Sequence, residues 1–173
     1  MAILGSTDAM SIFITGAQNL HAVEKQAVQL LNRQVERLEH YPQLAQQLRQ
    51  HAEESQRQAE RLDQMLQAEG SDNSLFKDTV TQFMGNLAAI GHSFTQDEVM
   101  KNYYANQAFE NYEIAAYTSL MAIAEAVGKG AHNSILEQSL NEEKRTAQWL
   151  ADHNREITLM YLKRADAGQT AGV

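Results

Sequence analysis

The sequence predicts an all-α chain: a four-helix bundle of two long helical hairpins, joined by a crossover that carries a short helix. Three observations predict it. Apolar residues recur at intervals of three, four and seven over long stretches, which is one face of a helix. No segment alternates with period two or carries an Asn-Gly hairpin signal. The single Pro and most of the nine Gly fall between the periodic stretches. At 173 residues the chain is long enough for one domain with a real core and short for two. That domain is expected over residues 1–164, with 165–173 as a small, polar, frayed tail.

The first helix is expected from Ala9 to His40, with Phe13, Ala17, Leu20, Ala27, Leu31, Val35 and Leu38 on one face. Tyr41-Pro42 ends it, because Pro restricts the residue before it and pre-sets the first turn of the next helix. The second helix turns Leu44, Leu48, Ala52, Ala59, Leu62 and Leu66 inward and closes at Gly70 with Ser71-Asp72-Asn73. A shorter helical stretch follows from Leu75 to Ile90, interrupted at Gly85 and ended by Gly91. Thr95-Gln96-Asp97-Glu98 reads as a capping box that opens the third long helix, which runs to about Val127 before Gly128. The last helix runs from near Ala131 to about Lys163. Helices of roughly 27 to 33 residues, at about 1.5 Å per residue, make a bundle about 40–50 Å long.

Each apolar stripe contains a carboxylate that packing alone would not choose. On a wheel of about 100° per residue, Glu24 falls within about 40° of Leu20. Glu113 falls among Phe109, Leu120, Ala124 and Val127, and Glu143 among Leu136, Leu140, Ala147 and Leu150. Glu54 lies at the margin of its stripe, while the neighbours Glu53 and Glu142 face outward. Glu24 and Glu54 are 30 residues apart, and so are Glu113 and Glu143, so the two hairpins present their acids at matching depths. One inward Glu is commonly a margin residue paired with a flanking Lys; four in matching places call for another account.

Four ionised carboxylates in a low-dielectric core repel one another and cost several kcal/mol each to desolvate. The nearby basic residues Lys25, Arg57, Arg61 and Lys144 are expected on the flanks. Two metal ions bridged by the carboxylates would supply the missing charge, and oxygen-rich ligation suits iron first and manganese second rather than structural zinc. His51 and Gln58 bracket Glu54 on the inner face of its helix. Each is a ligand, a partner that orients Glu54, or a satisfied polar core residue. Glu110, one turn from Glu113, is a possible fifth carboxylate ligand. Tyr112 and Tyr117 read as packing, and His40, His92, His132 and His153 as ordinary surface or loop histidines. Ile135, Trp149 and Met160 read as a second apolar strip that covers the crossover helix or a partner subunit.

Composition narrows the function classes. Zero Cys excludes a disulfide framework, a thiolate nucleophile, Cys-ligated zinc and an iron–sulfur cluster. A formal net charge of −8 without a basic stripe argues against nucleic acid and anionic membrane as partners. No apolar run approaches the roughly 20 residues of a membrane span. No Lys or Arg precedes Lys25, so a secretory n-region is missing and the expected location is the cytoplasm.

Four segments resemble one family: Ala22-Val23-Glu24-Lys25-Gln26; His51-Ala52-Glu53-Glu54-Ser55 on to Glu60-Arg61-Leu62; Tyr112-Glu113-Ile114-Ala115-Ala116-Tyr117; and Asn141-Glu142-Glu143-Lys144. They are similar to the YciE/YciF-type ferritin-like bacterial stress proteins, a family classed as a domain of unknown function. The similarity covers about residues 8 to 160. It implies a ferritin-like four-helix bundle with an added short helix, commonly dimeric, related in shape to rubrerythrin and the alternative oxidase. It also implies a candidate di-iron centre at Glu24, Glu54, Glu113 and Glu143. Two departures stand out. Ferritin-like di-iron sites usually carry Glu-x-x-His on helices two and four, but Arg57 follows Glu54 at that spacing and Thr146 follows Glu143. Relatives often have His where this chain has Gln58 and Asn111.

The expected function is therefore a ferritin-like stress protein with a dinuclear centre that reacts with oxygen or peroxide, as a homodimer. A rubrerythrin-like peroxidase with its own electron donor is disfavoured, since without Cys there is no rubredoxin-type iron. A hollow storage cage has no support in the sequence, and a DNA-protective relative would want a basic tail. The alternative is a metal-free helical module that acts through a dimer or partner surface.

Overall fold

In a computed structural model of the chain, residues 7–71 and 98–170 are described. They form four long helices: α1 (Thr7–Val35), α2 (Pro42–Ala68), α3 (Glu98–Ala126) and α4 (Asn133–Asp166). A single 3-10 turn, Gly130–His132, leads into α4. No strand occurs among the described residues. The expected crossover helix over Leu75 to Ile90, and Thr95 of the capping box, lie outside them.

Each helix buries the stripe its spacing predicts. Phe13, Ala17, Leu20, Ala27 and Leu31 of α1 are buried, as are Leu44, Leu48, Ala52, Ala59, Leu62 and Leu66 of α2. Helix α1 stops at Val35, five residues short of the expected end. Tighter turns then carry the chain to Tyr41, with Arg37 N–H bonded to the Gln34 carbonyl and Leu38 N–H to that of Val35. Pro42 occupies the first turn of α2, where no N–H is needed. At the other end Gly70 (φ 71°) takes the left-handed conformation, and Ser71 N–H caps the Leu66 carbonyl at 2.9 Å. Helix α4 continues to Asp166, so the first two residues expected in the tail are helical. Gly168 (φ 67°) then turns the chain, and Arg164 holds the Thr170 carbonyl at 2.9 Å.

Helices α1 and α2 pack as one hairpin and α3 and α4 as the other; across them α1 lies on α3 and α2 on α4. The apolar core is split into two clusters. One gathers the end of α1, the starts of α2 and α3 and the second half of α4 (Leu31, Leu44, Leu48, Tyr103, Leu150, Ile157). The other gathers the start of α1, the ends of α2 and α3 and the start of α4 (Phe13, Leu62, Leu66, Leu120, Leu136). The helices therefore run up, down, down, up, and α3 begins at the end of the bundle where α2 also begins. Trp149 and Met160 pack half-buried against the first cluster and Ile135 against the second. The expected single apolar strip does not exist, because the three residues serve opposite ends of the bundle.

Candidate metal centre

Between the two apolar clusters the bundle interior is polar. Glu24, His51, Ser55, Gln58, Glu110, Glu113, Glu143 and Thr146 are all closed off from solvent. His51 and Glu54 lie three apart on α2, and Glu110 and Glu113 three apart on α3, so each pair stacks on one helix face. Glu143 comes from α4 and Glu24 from α1. All four helices thus send an acid to the same layer.

The innermost set is His51, Glu110, Glu113 and Glu143, each with a ligand atom within 4.8 Å of those of the others. His51 Nε2 lies 3.0 Å from Glu110 Oε2 and 3.7 Å from Glu143 Oε2. The shorter approach lacks hydrogen-bond alignment, which leaves His51 Nε2 and Glu110 Oε2 without hydrogen-bond partners. Both oxygens of Glu113 and both of Glu143 are equally unpartnered. On its other edge the imidazole is fixed, with Nδ1 3.1 Å from Thr146 Oγ1. With Nδ1 engaged by Thr146, Nε2 is the ring nitrogen turned toward Glu110 and Glu143, and it becomes a ligand atom when a metal displaces its proton. Glu24 adjoins this set and accepts a hydrogen bond from the Tyr117 hydroxyl at 2.7 Å, leaving Oε2 free.

The electrostatics follow from burial. Desolvation drives the Glu24 carboxyl up to about 8, against the pull of the Tyr117 hydroxyl and His51. Desolvation also lifts Glu113, reinforced by Glu24 and Glu143, and lifts Glu143 against the attraction of His51. Burial alone would lower His51, but the Glu110 and Glu143 carboxylates outweigh it and raise the imidazole well above its ordinary value. Without an added cation, this layer balances its charge with protons. A buried His/Glu group whose oxygens receive no hydrogen bond from backbone or other side chains could hold a metal ion in place of those protons.

Comparison with known proteins fits the architecture. The family described as a domain of unknown function (DUF892) matches residues 8–163. The chain belongs to it. Protein YciF of Escherichia coli K12 is 31% identical over 152 residues, which span 82% of this chain and 87% of that protein. A crystal structure of a Xanthomonas campestris protein superposes with a TM-score of 0.76 at 28% identity, covering 91% of this chain and 99% of that one. The crystal structure of the E. coli stress protein YciF superposes with a TM-score of 0.71 at 27% identity, covering 85% and 94%.

Among the residues the sequence singles out, this DUF892 chain brings His51, Glu110, Glu113 and Glu143 into one set, with Glu24 beside it. Glu54 stands at the rim. Its Oε1 accepts from Gln50 at 3.3 Å and lies 3.6 Å from Arg145, and its Oε2 is 3.8 Å from His51 Nδ1. Although burial opposes it, His51 and these neighbours hold the Glu54 carboxyl below its ordinary value. Gln58 turns its amide N–H to Glu142 at 3.0 Å, and its own Oε1 has no partner.

Four expectations are corrected. Glu142, expected outward, is buried, because Arg61 grips it with two hydrogen bonds of 2.6 and 2.9 Å. Arg61, expected on the flank, bends inward to reach it, and also bonds Ser139 at 3.0 Å. Its placement was readable, since Arg61 follows Glu54 and Gln58 at i+7 and i+3 on the same face of α2. Tyr117 does more than pack, as the donor to Glu24. His132, read as an ordinary loop histidine, bonds Glu69 at 2.8 Å and stacks on Phe13. Among the described residues no helix is long and apolar enough to cross a membrane.

Proposed function

We propose that this chain is a cytoplasmic, ferritin-like stress protein whose buried centre binds up to two metal ions, iron first and manganese second. The observation that carries the reading is the set of unpartnered, solvent-excluded carboxylate oxygens on Glu113 and Glu143 beside a histidine whose orientation is fixed by Thr146. His51, Glu110, Glu113 and Glu143 would hold one ion, with Glu24 and Glu54 as the further acids. A bound iron centre would supply one-electron redox toward a small oxidant, oxygen or peroxide. The chain's own residues exclude bulk water, hold Glu24 in place through Tyr117 and, through Thr146, turn His51 Nε2 toward the acids. The name of the E. coli relative as a stress protein supports the cellular setting.

Metal analysis of protein purified without chelator tests this. Iron or manganese is expected at about one to two per chain, and Glu113→Ala should lose the metal while circular dichroism stays helical. Metal-free protein from cells supplied with both metals would overturn the proposal.

The homodimer is part of the same proposal, and α4 favours it. Leu159 and Leu162 are 46% and 58% exposed and lie side by side, flanked on the same face by exposed Arg155 and Asp166. The 4-3-4 spacing is self-complementary in an antiparallel pair of α4 helices. Leu159 then meets the partner's Leu162, and Arg155 the partner's Asp166.

A further inference from the structure

Two acids of the polar layer reach toward solvent, both where α2 faces α4. Glu54 and Glu142 each keep 8% of the side chain exposed, against 0% for His51 and Glu143 and 1% for Glu110. The two differ in how they are held. Glu142 is shut by the bidentate Arg61 pair at 2.6 and 2.9 Å and by Gln58 at 3.0 Å. Glu54 is held loosely: Oε1 accepts one long bond from Gln50 at 3.3 Å and lies 3.6 Å from Arg145, outside hydrogen-bond reach. Its inner oxygen, Oε2, lies 3.8 Å from His51 Nδ1, and the same imidazole carries Nε2 to 3.0 Å from Glu110. A polar line therefore runs from Arg145 through Glu54 and His51 to the innermost acids. Both outer partners border surface depressions that share Trp149: Arg145 lines one along α4 with Gln148, and Gln50 lines the other between α2 and α4 with His153. Arg145 itself is 62% exposed, and Glu54 is its one ion-pair partner among the described residues.

We propose that Glu54 and Arg145 form the entry port of the centre: divalent cations reach the buried acids between α2 and α4 by way of the Glu54 carboxylate, and the Arg145 guanidinium paired with it sets how fast they pass. The inference rests on the metal-binding reading above and adds a route and a residue that controls the rate. A cation shedding its water needs an anion at each stage, and Glu54 has one oxygen turned outward and one inward, neither tightly held. A loose, exposed ion pair holds weakly. Arg145 therefore swings aside without disturbing the fold, whereas the Arg61 clamp opens only by breaking two charge-assisted bonds. While Arg145 stays, its charge opposes an approaching dication twice as strongly as a monovalent ion. It is a positioning residue that acts through Glu54, on the rate of filling.

The test follows uptake of Mn2+ by the chelator-stripped full chain at low ionic strength, read as the fall of the free Mn2+ paramagnetic resonance signal after rapid mixing. Arg145→Gln is expected to speed uptake at least about threefold and Arg145→Glu at least about tenfold, with added salt shrinking both differences. Arg145→Lys keeps the charge and should stay near the wild-type rate. Arg33→Gln makes the same change in net charge at an exposed position on α1, whose packed neighbours are α2 and α3, and should leave the rate alone. Glu54→Gln should slow uptake at least about tenfold; the Arg145 comparison decides alone should that variant retain no metal. Equal rates in Arg145→Gln and Arg33→Gln, an Arg145→Lys variant as fast as Arg145→Gln, or a faster rate accompanied by a lowered urea midpoint would overturn the port and leave metal binding intact. No bound Mn2+ or Fe2+ in any form would overturn the metal reading itself.

Discussion

Tyr117 donates from α3 to Glu24 on α1, and neither residue touches solvent. Tyr117→Phe keeps the ring and deletes the donor, so it leaves Glu24 with two unpartnered oxygens. A buried acceptor stripped of its partner costs about 1–3 kcal/mol, and the urea midpoint of the metal-free protein should fall accordingly with helicity unchanged. An unaltered midpoint would mean the hydroxyl contributes nothing. At this scale the sequence was informative about acids and poor about their partners. Glu24, Glu113 and Glu143 sit in apolar stripes, where a carboxylate is conspicuous. Glu142 is hidden because a wheel treats each helix as an isolated cylinder, whereas Arg61, on the Glu54 face of α2, reaches across to the neighbouring helix. In the sequence Thr146 stands out only as the place where a histidine is missing. In the folded chain it steadies His51, a histidine delivered from α2.

At the scale of elements, hairpins and stripes were legible because helix period and punctuation are local properties. Ends were less so. The apolar pattern of α1 continues through Leu38, but Leu38 and Tyr41 are buried by tertiary packing beyond the last helical turn. A bidentate pair from Arg37 to Glu98, at 2.7 and 2.8 Å, anchors that turn to the start of α3. The face of α4 is ambiguous for a related reason: Trp149 and Met160 look like surplus hydrophobes on a wheel, yet they pack half-buried against the core. Leu159 and Leu162 are the ones left outside. If α4 pairs with a second copy, Leu162→Glu places two charges in an apolar seam and should weaken the dimer at least about a hundredfold, some 2.7 kcal/mol or more. Light scattering at micromolar concentration reads this directly. A variant with unchanged mass in solution would exclude this face as the interface.

For the whole molecule, the charged layer makes stability depend on pH in a definite direction. A carboxyl whose pKa is higher in the fold than in the unfolded chain keeps a proton that the unfolded chain has released, so stability falls as pH rises between the two values. For Glu24 that window runs from its ordinary 4.5 to about 8, and Glu113 and Glu143 act in the same sense. His51, also raised, loses its contribution as pH climbs through its folded value. Glu54, lowered, acts oppositely, and its contribution is lost as pH falls below the ordinary carboxylate range. The chelated protein should therefore melt at a lower temperature at pH 8 than at pH 5.5. Added Mn2+ should reverse the trend, since a metal displaces those protons more easily when they are scarce. A melting curve indifferent to pH would exclude protons as the counter-charge. The up-down-down-up order has one more consequence. Every helix lies against antiparallel neighbours, so the peptide dipoles cancel in pairs, and the acids stand more than two turns from any terminus. The backbone scaffold is electrically mute at its own centre, and whatever offsets the negative charge there must be a side chain, a proton or a guest.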